Sequence, residues 1–139
     1  MTPVVIDSSA VLSLVQPDEG GRMAVALEAM FRQGTPVLVP AHWSVEVANG
    51  VLMAERRRRL TQADAAAALE FMRQLPIIAD DGSATHAFGE VSALARQHGL
   101  STYDAAYLEL AMRRRAALAT LDQALRKAAT SAGVALIAS

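Results

Sequence analysis

The constraint that most narrows the fold of this chain is an alternation. Short apolar runs rich in β-branched residues, each bounded by breakers, are separated by longer stretches of helical composition. The strand candidates are "PVVI" (3–6), "PVLV" (36–39), "PIIA" (76–79), "AALAT" (116–120) and "VALIA" (134–138). Helical stretches fall at 9–15, 20–33, 42–58, 61–74, 84–98, 102–115 and 123–132. Gly34, Gly99 and Gly133 suit helix stops, and Thr61 and Ser83 suit starts. Continuous apolar strands, as opposed to alternating ones, indicate burial on both faces and hence a mostly parallel sheet covered by helices. The expected architecture is α/β, three layers, with about five strands in the sheet.

Composition sets the outer bounds. A length of 139 residues, 53% of them hydrophobic, suits one domain spanning 1–139 with a core that needs no staple. The absence of cysteine excludes disulfides, thiolate metal sites and a cysteine nucleophile. No apolar run approaches a membrane span and "MTPVVIDSS" lacks a leader pattern, so a soluble, unprocessed, cytoplasmic protein is expected. Net charge is −1, which does not announce a nucleic-acid binder. Seven of the twelve arginines nevertheless fall in two runs, Arg56 to Arg59 and Arg113 to Arg115. Each suits a solvated helix end facing the macrodipole, and arginine forks also suit phosphate.

The acids are placed more tellingly. In open parallel sheets ligands gather outside the carboxyl ends of the strands. Asp7 ends the first strand run and Asp122 follows the fourth, although each could equally cap a helix. Glu46 lies with His42 and Asn49 on a narrow polar stripe of an otherwise apolar helix that starts after "PVLV". Asp104 opens "STYDAAYLELA"; the helical wheel turns it toward the apolar side, while Glu109 and Arg113 fall almost opposite. A capping box with Ser101 is the plainer use for Asp104. Four carboxylates converging on one edge would repel and partly protonate unless a cation joined them. Oxygen-only ligands favour a hard ion, Mg²⁺ or Mn²⁺, able to activate water and stabilise charge on a phosphoryl group. Phosphodiester hydrolysis is the implied chemistry. Phosphate-loop, dinucleotide and nucleophile-elbow motifs are missing, and His42, His86 and His98 have no metal-ligand spacing.

"VVIDSSAVLSL", "VPAHWSVEVANGVL", "LSTYDAAYLELA" and "LATLDQAL" resemble, in order and over nearly the full length, the four acidic motifs of the PIN-domain ribonucleases. More narrowly, the chain is similar to VapC-type toxins of toxin–antitoxin pairs. The resemblance implies a metal-dependent endoribonuclease with Asp7, Glu46, Asp104 and Asp122 as catalytic and metal-binding acids. It also implies supporting roles for Ser8, Asn49, Thr102 and Thr120. It further implies a homodimer, a transfer or ribosomal RNA substrate, and a small VapB-like antitoxin. The helices from Val11 to Val15 and from Met23 to Phe31 are a candidate antitoxin groove, and Arg113, Arg114 and Arg115 are candidate contacts to flanking phosphates. Two other readings stay open: a non-catalytic RNA-binding or regulatory protein of the same fold, and a small-molecule phosphohydrolase. The lack of D-x-D at Asp7 argues against one major form of the latter.

Overall fold

The computed structural model describes residues 1–16 and 21–138. Four parallel strands form its sheet: β1 (Val4–Ile6), β2 (Val37–Pro40), β3 (Ile78–Asp80) and β4 (Ala117–Ala119), in the order β3-β2-β1-β4. The helices are α1 (Ser8–Leu12), α2 (Gly21–Arg32), α3 (Trp43–Arg56), α4 (Gln62–Arg73), α5 (Gly82–His86), α6 (Ser92–His98), α7 (Thr102–Arg113) and α8 (Gln123–Ser131). The expected α/β arrangement of helices flanking a parallel sheet is present.

Strands β1, β2 and β4 are buried along their whole length, as continuous apolar runs in a covered parallel sheet should be. The expected fifth strand at 134–138 is reduced to one bridge, Leu118 with Leu136. There the Leu118 N–H donates to Ala135 O and its carbonyl accepts from the Ile137 N–H. The run at 76–79 forms a strand two residues later than expected. As the sheet's edge, β3 leaves Ile78 half exposed and buries Asp80.

Helix boundaries follow local chemistry. Thr61 and Asp64 form a complete capping box at α4. Gly99 ends α6 at φ 65°, a left-handed conformation that costs glycine little. The single helix expected at 84–98 is instead broken by a π-helical turn, Ala87–Val91. The Ser92 hydroxyl donates to the Ala87 carbonyl at 2.6 Å, five residues back, and Gly89 lies within the widened turn. Both arginine runs end helices, with Arg58 and Arg115 at positive φ.

The apolar faces of α1 and α2 go largely to the core. Val11, Met23, Leu27 and Met30 are buried against the sheet, which removes them from the expected antitoxin groove. Helix α7 packs against β1, β2 and β4 and is buried from Ala105 to Ala111. Asp104 thus enters the fold at the end of a central helix.

Candidate active site

The strand order turns at β1: the chain builds outward through β2 and β3, then returns to place β4 on β1's other side. A crevice at the carboxyl ends of strands flanking such a turn is where open α/β sheets bind ligands. Asp7 leaves β1 there and Asp122 follows β4, with the Asp7 N–H donating to Ala119 O at 3.0 Å.

Asp7 is 3% exposed and fully engaged. Its Oδ1 accepts from the Ser9 hydroxyl at 2.7 Å and the Ala10 N–H at 2.9 Å, which caps α1; its Oδ2 accepts from the buried Thr120 hydroxyl. Ser9 also accepts from the Leu121 N–H at 2.9 Å, and Thr120 from the Asp122 N–H at 3.0 Å, tying the ends of β1 and β4 together. Burial outweighs these bonds and pushes the Asp7 carboxyl up to about 6, with the nearby Asp104 adding to the rise. The supporting hydroxyl is therefore Ser9, not Ser8; the adjacent serines of "DSS" offer no local reason to choose between them.

Asp104 is coupled by charge to each of the other three acids. Its carboxyl is held above the usual range by partial burial and then by the charges of Asp122 and Glu46, with a Ser101 hydrogen bond and then His42 opposing. Ser101 caps α7 through its hydroxyl, which accepts from the Asp104 N–H at 3.1 Å. Only this half of the expected capping box is present among the described residues, in contrast to Thr61 and Asp64. The Ser101 hydroxyl thus serves both the backbone N–H of Asp104, as the helix cap, and its carboxylate.

Glu46 sits in the first turn of α3, and its Oε1 accepts from the Tyr107 hydroxyl at 2.5 Å. Tyr107 is completely buried, and burial together with Glu46 raises its phenol far above the usual range. His42 Nε2 lies 3.6 Å from the same Glu46 oxygen, and its ring stands edge-on to Tyr107 at 5.0 Å. Sequence reasoning assigns no site role to either Tyr107 or His42. Along the chain Tyr107 reads as one more core residue of an apolar helix, and only the approach of α3 brings a polar partner to its hydroxyl.

Asp122 caps α8, its Oδ1 accepting from the Leu125 N–H at 2.9 Å. It thus caps a helix and bears electrostatically on Asp104 together. Thr120 is fully buried with its hydroxyl on Asp7, whereas Asn49 and Thr102 are exposed.

Two of the three arginines are engaged within the fold. Arg113 Nη2 meets Asp80 Oδ2 at 2.8 Å and Arg113 Nε meets Glu109 Oε2 at 2.8 Å, joining the edge strand to α7. Asp80 and Glu109 are both buried, and the guanidinium holds Asp80 below the usual carboxylate range. Arg114 reaches Asp80 at 3.4 Å, and Arg115 lies exposed past the helix end. Arg113 is a clamp inside the fold and is not free for phosphate. Its partner Asp80 falls just beyond the strand run expected at 76–79.

Among the described residues, no three acidic or histidine side chains are drawn tightly enough to enclose an ion by themselves. The donor set nevertheless fits a hard cation in an open site, because Mg²⁺ retains several waters and asks few protein oxygens. The repulsion that raises Asp104 is what such a charge would relieve.

The family profile described as PIN domain matches residues 4–130. Ribonuclease VapC3 of Mycobacterium tuberculosis is 33% identical over 129 residues, covering 93% of this chain and 89% of the relative. Ribonuclease VapC3 of Pyrobaculum aerophilum is 32% identical over 130 residues, covering 88% and 91%. Among solved structures, Mycobacterium tuberculosis VapC20, described as a sarcin–ricin-loop-cleaving toxin, superposes with a TM-score of 0.67 at 16% identity, covering 98% of this chain and 99% of that one. Rickettsia felis VapBC2 bound to a promoter DNA fragment gives 0.67 at 14% identity, covering 96% of each. Motif order, fold and sequence likeness agree: the chain belongs to the PIN-domain family, among the VapC-type proteins.

Proposed function

We propose that the protein is a divalent-metal-dependent endoribonuclease and the toxin of a toxin–antitoxin pair. What supports this reading is the placement of Asp7 and Asp122 after adjacent strands β1 and β4, with Asp7, Glu46 and Asp122 each coupled by charge to Asp104. Ribonuclease names among the relatives support RNA as the substrate, and we take transfer or ribosomal RNA as its class. The VapBC2 neighbour supports a small VapB-like antitoxin as partner. The protein acts in the cytoplasm as a homodimer.

Asp7, Glu46, Asp104 and Asp122 are the residues that would hold Mg²⁺ or Mn²⁺. When bound, the ion supplies activation of water and neutralisation of charge on the scissile phosphate. The chain's own groups fix the geometry. Thr120 and Ser9 hold the Asp7 carboxylate in one orientation, and Tyr107 holds Glu46 from the far side. Asp104, in the first turn of the buried helix α7, is coupled by charge to both.

The test is cleavage of transfer and ribosomal RNA by the purified protein with Mg²⁺ or Mn²⁺. Cleavage is expected, and chelation or Asp104→Asn should abolish it. RNA binding with a steep salt dependence but no cleavage in either metal would replace this reading with a binding role.

A further inference from the structure

The chain has only two tyrosines, and both flank one histidine at the acidic rim. Tyr107 is buried beneath it, whereas Tyr103 is 62% exposed, with its ring 5.7 Å from that of His42. Tyr103 directly precedes Asp104, so the Cα atoms that carry the exposed ring and the central carboxylate are about 3.8 Å apart. His42 Nε2 is buried and, among the described residues, has no hydrogen-bond partner, its nearest acid oxygen being Glu46 Oε1 at 3.6 Å.

The arginines around this rim are largely spoken for. Arg113 is committed to Asp80 and Glu109, and Arg114 reaches Asp80. Arg126, beside Asp122 on α8, donates to the Thr120 and Ala138 carbonyls. The run Arg56 to Arg59 lies at the far end of α3 from Glu46. Four carboxylates meanwhile repel a phosphate backbone. Beyond the charge that a bound cation would supply at the scissile phosphate, base–aromatic stacking is a sequence-tolerant source of affinity for the flanking nucleotide.

We propose that Tyr103, backed by the His42 ring, is a stacking platform for an unpaired RNA base next to the scissile phosphate. The inference rests on the ribonuclease reading above and extends it: the substrate must present at least one base free of its own stack at the cleavage point, in a loop, bulge or single strand. The tyrosine hydroxyl is not needed, and the aromatic face is.

The experiment compares wild type, Tyr103→Leu and Tyr103→Trp in two ways. One is cleavage of transfer and ribosomal RNA with Mn²⁺; the other is binding of a mixed-sequence single-stranded RNA 12-mer. Tyr103→Leu should raise KM and the 12-mer Kd by about fivefold or more, with kcat changed far less, and Tyr103→Trp should restore both. The indole introduced by Tyr103→Trp should be quenched by the 12-mer and not by the corresponding duplex. Equal KM and Kd across the three proteins, or quenching by duplex equal to that by single strand, overturns the platform. Failure of the wild type to cleave any RNA, with the Kd pattern intact, sinks the nuclease reading and leaves the platform standing.

Discussion

Replacing Asp7 by asparagine should stabilise the metal-free protein while destroying its activity. The carboxylate is 3% exposed, and burial lifts it from 3.8 to about 6 in spite of three hydrogen bonds. The protonated form is thus favoured in the native state. The associated stability is fully present below pH ~4 and is lost as pH rises through about 6. A shift of about two units is worth ~3 kcal/mol at neutral pH. The neutral asparagine side chain would recover part of this. Its carbonyl can accept from Ser9 and Ala10, but its amide meets a Thr120 hydroxyl that already serves the Asp122 N–H. The net gain expected at pH 7.5 in chelator is ~1–3 kcal/mol, or a Tm rise of about 3–9 °C for a chain of this size. Thermal melts from pH 3.5 to 8 should show the two proteins converging at the acid end. Adding Mg²⁺ should reverse the order, because a ligand at 100 times its Kd stabilises by ~2.7 kcal/mol and the variant binds it poorly. An Asp7→Asn protein that is folded but melts no higher than wild type at pH 7.5 in chelator would refute the claim that desolvation dominates at Asp7.

Tyr107→Phe keeps the ring volume and removes the donor to Glu46. Stability should change by ~1 kcal/mol or less, while Mn²⁺ affinity and cleavage both fall; unchanged affinity would show that Glu46 needs no anchor. Arg113→Ala strands two buried carboxylates, of which Arg114 can reach only Asp80, and should cost up to ~3 kcal/mol in urea unfolding. Adding Glu109→Gln to that variant should return part of the loss. Thr61→Ala breaks the α4 capping box and should cost ~1 kcal/mol without altering cleavage, which separates a helix cap from the acids of the site.

The four candidate acids stand out in the sequence through their placement at element ends and, above all, through the ordered four-motif resemblance. Asp7 and Asp122 end apolar strand runs, and Glu46 interrupts an apolar helix. Asp104 sits on the wrong side of its own helix for a surface charge. The period of the strands and helices likewise sufficed for the covered parallel sheet, since burial on both faces leaves a pattern readable along the chain. Choices decided across the fold left no such local trace. Ser8 and Ser9 are equivalent in sequence, and only the approach of β4 singles out Ser9. Tyr107 reads as core until α3 supplies Glu46 to its hydroxyl. The arginines after α7 read as free cations until the edge strand brings Asp80 against Arg113. The fifth strand shrank to a bridge and the long helix at 84–98 broke at a π turn, both through hydrogen bonds whose partners no hydrophobic period encodes. Burial pattern and charge placement belong to the chain itself. Which donor meets which acceptor depends on the packing of elements remote in sequence, and here that packing sets the orientation of Asp7 and Glu46.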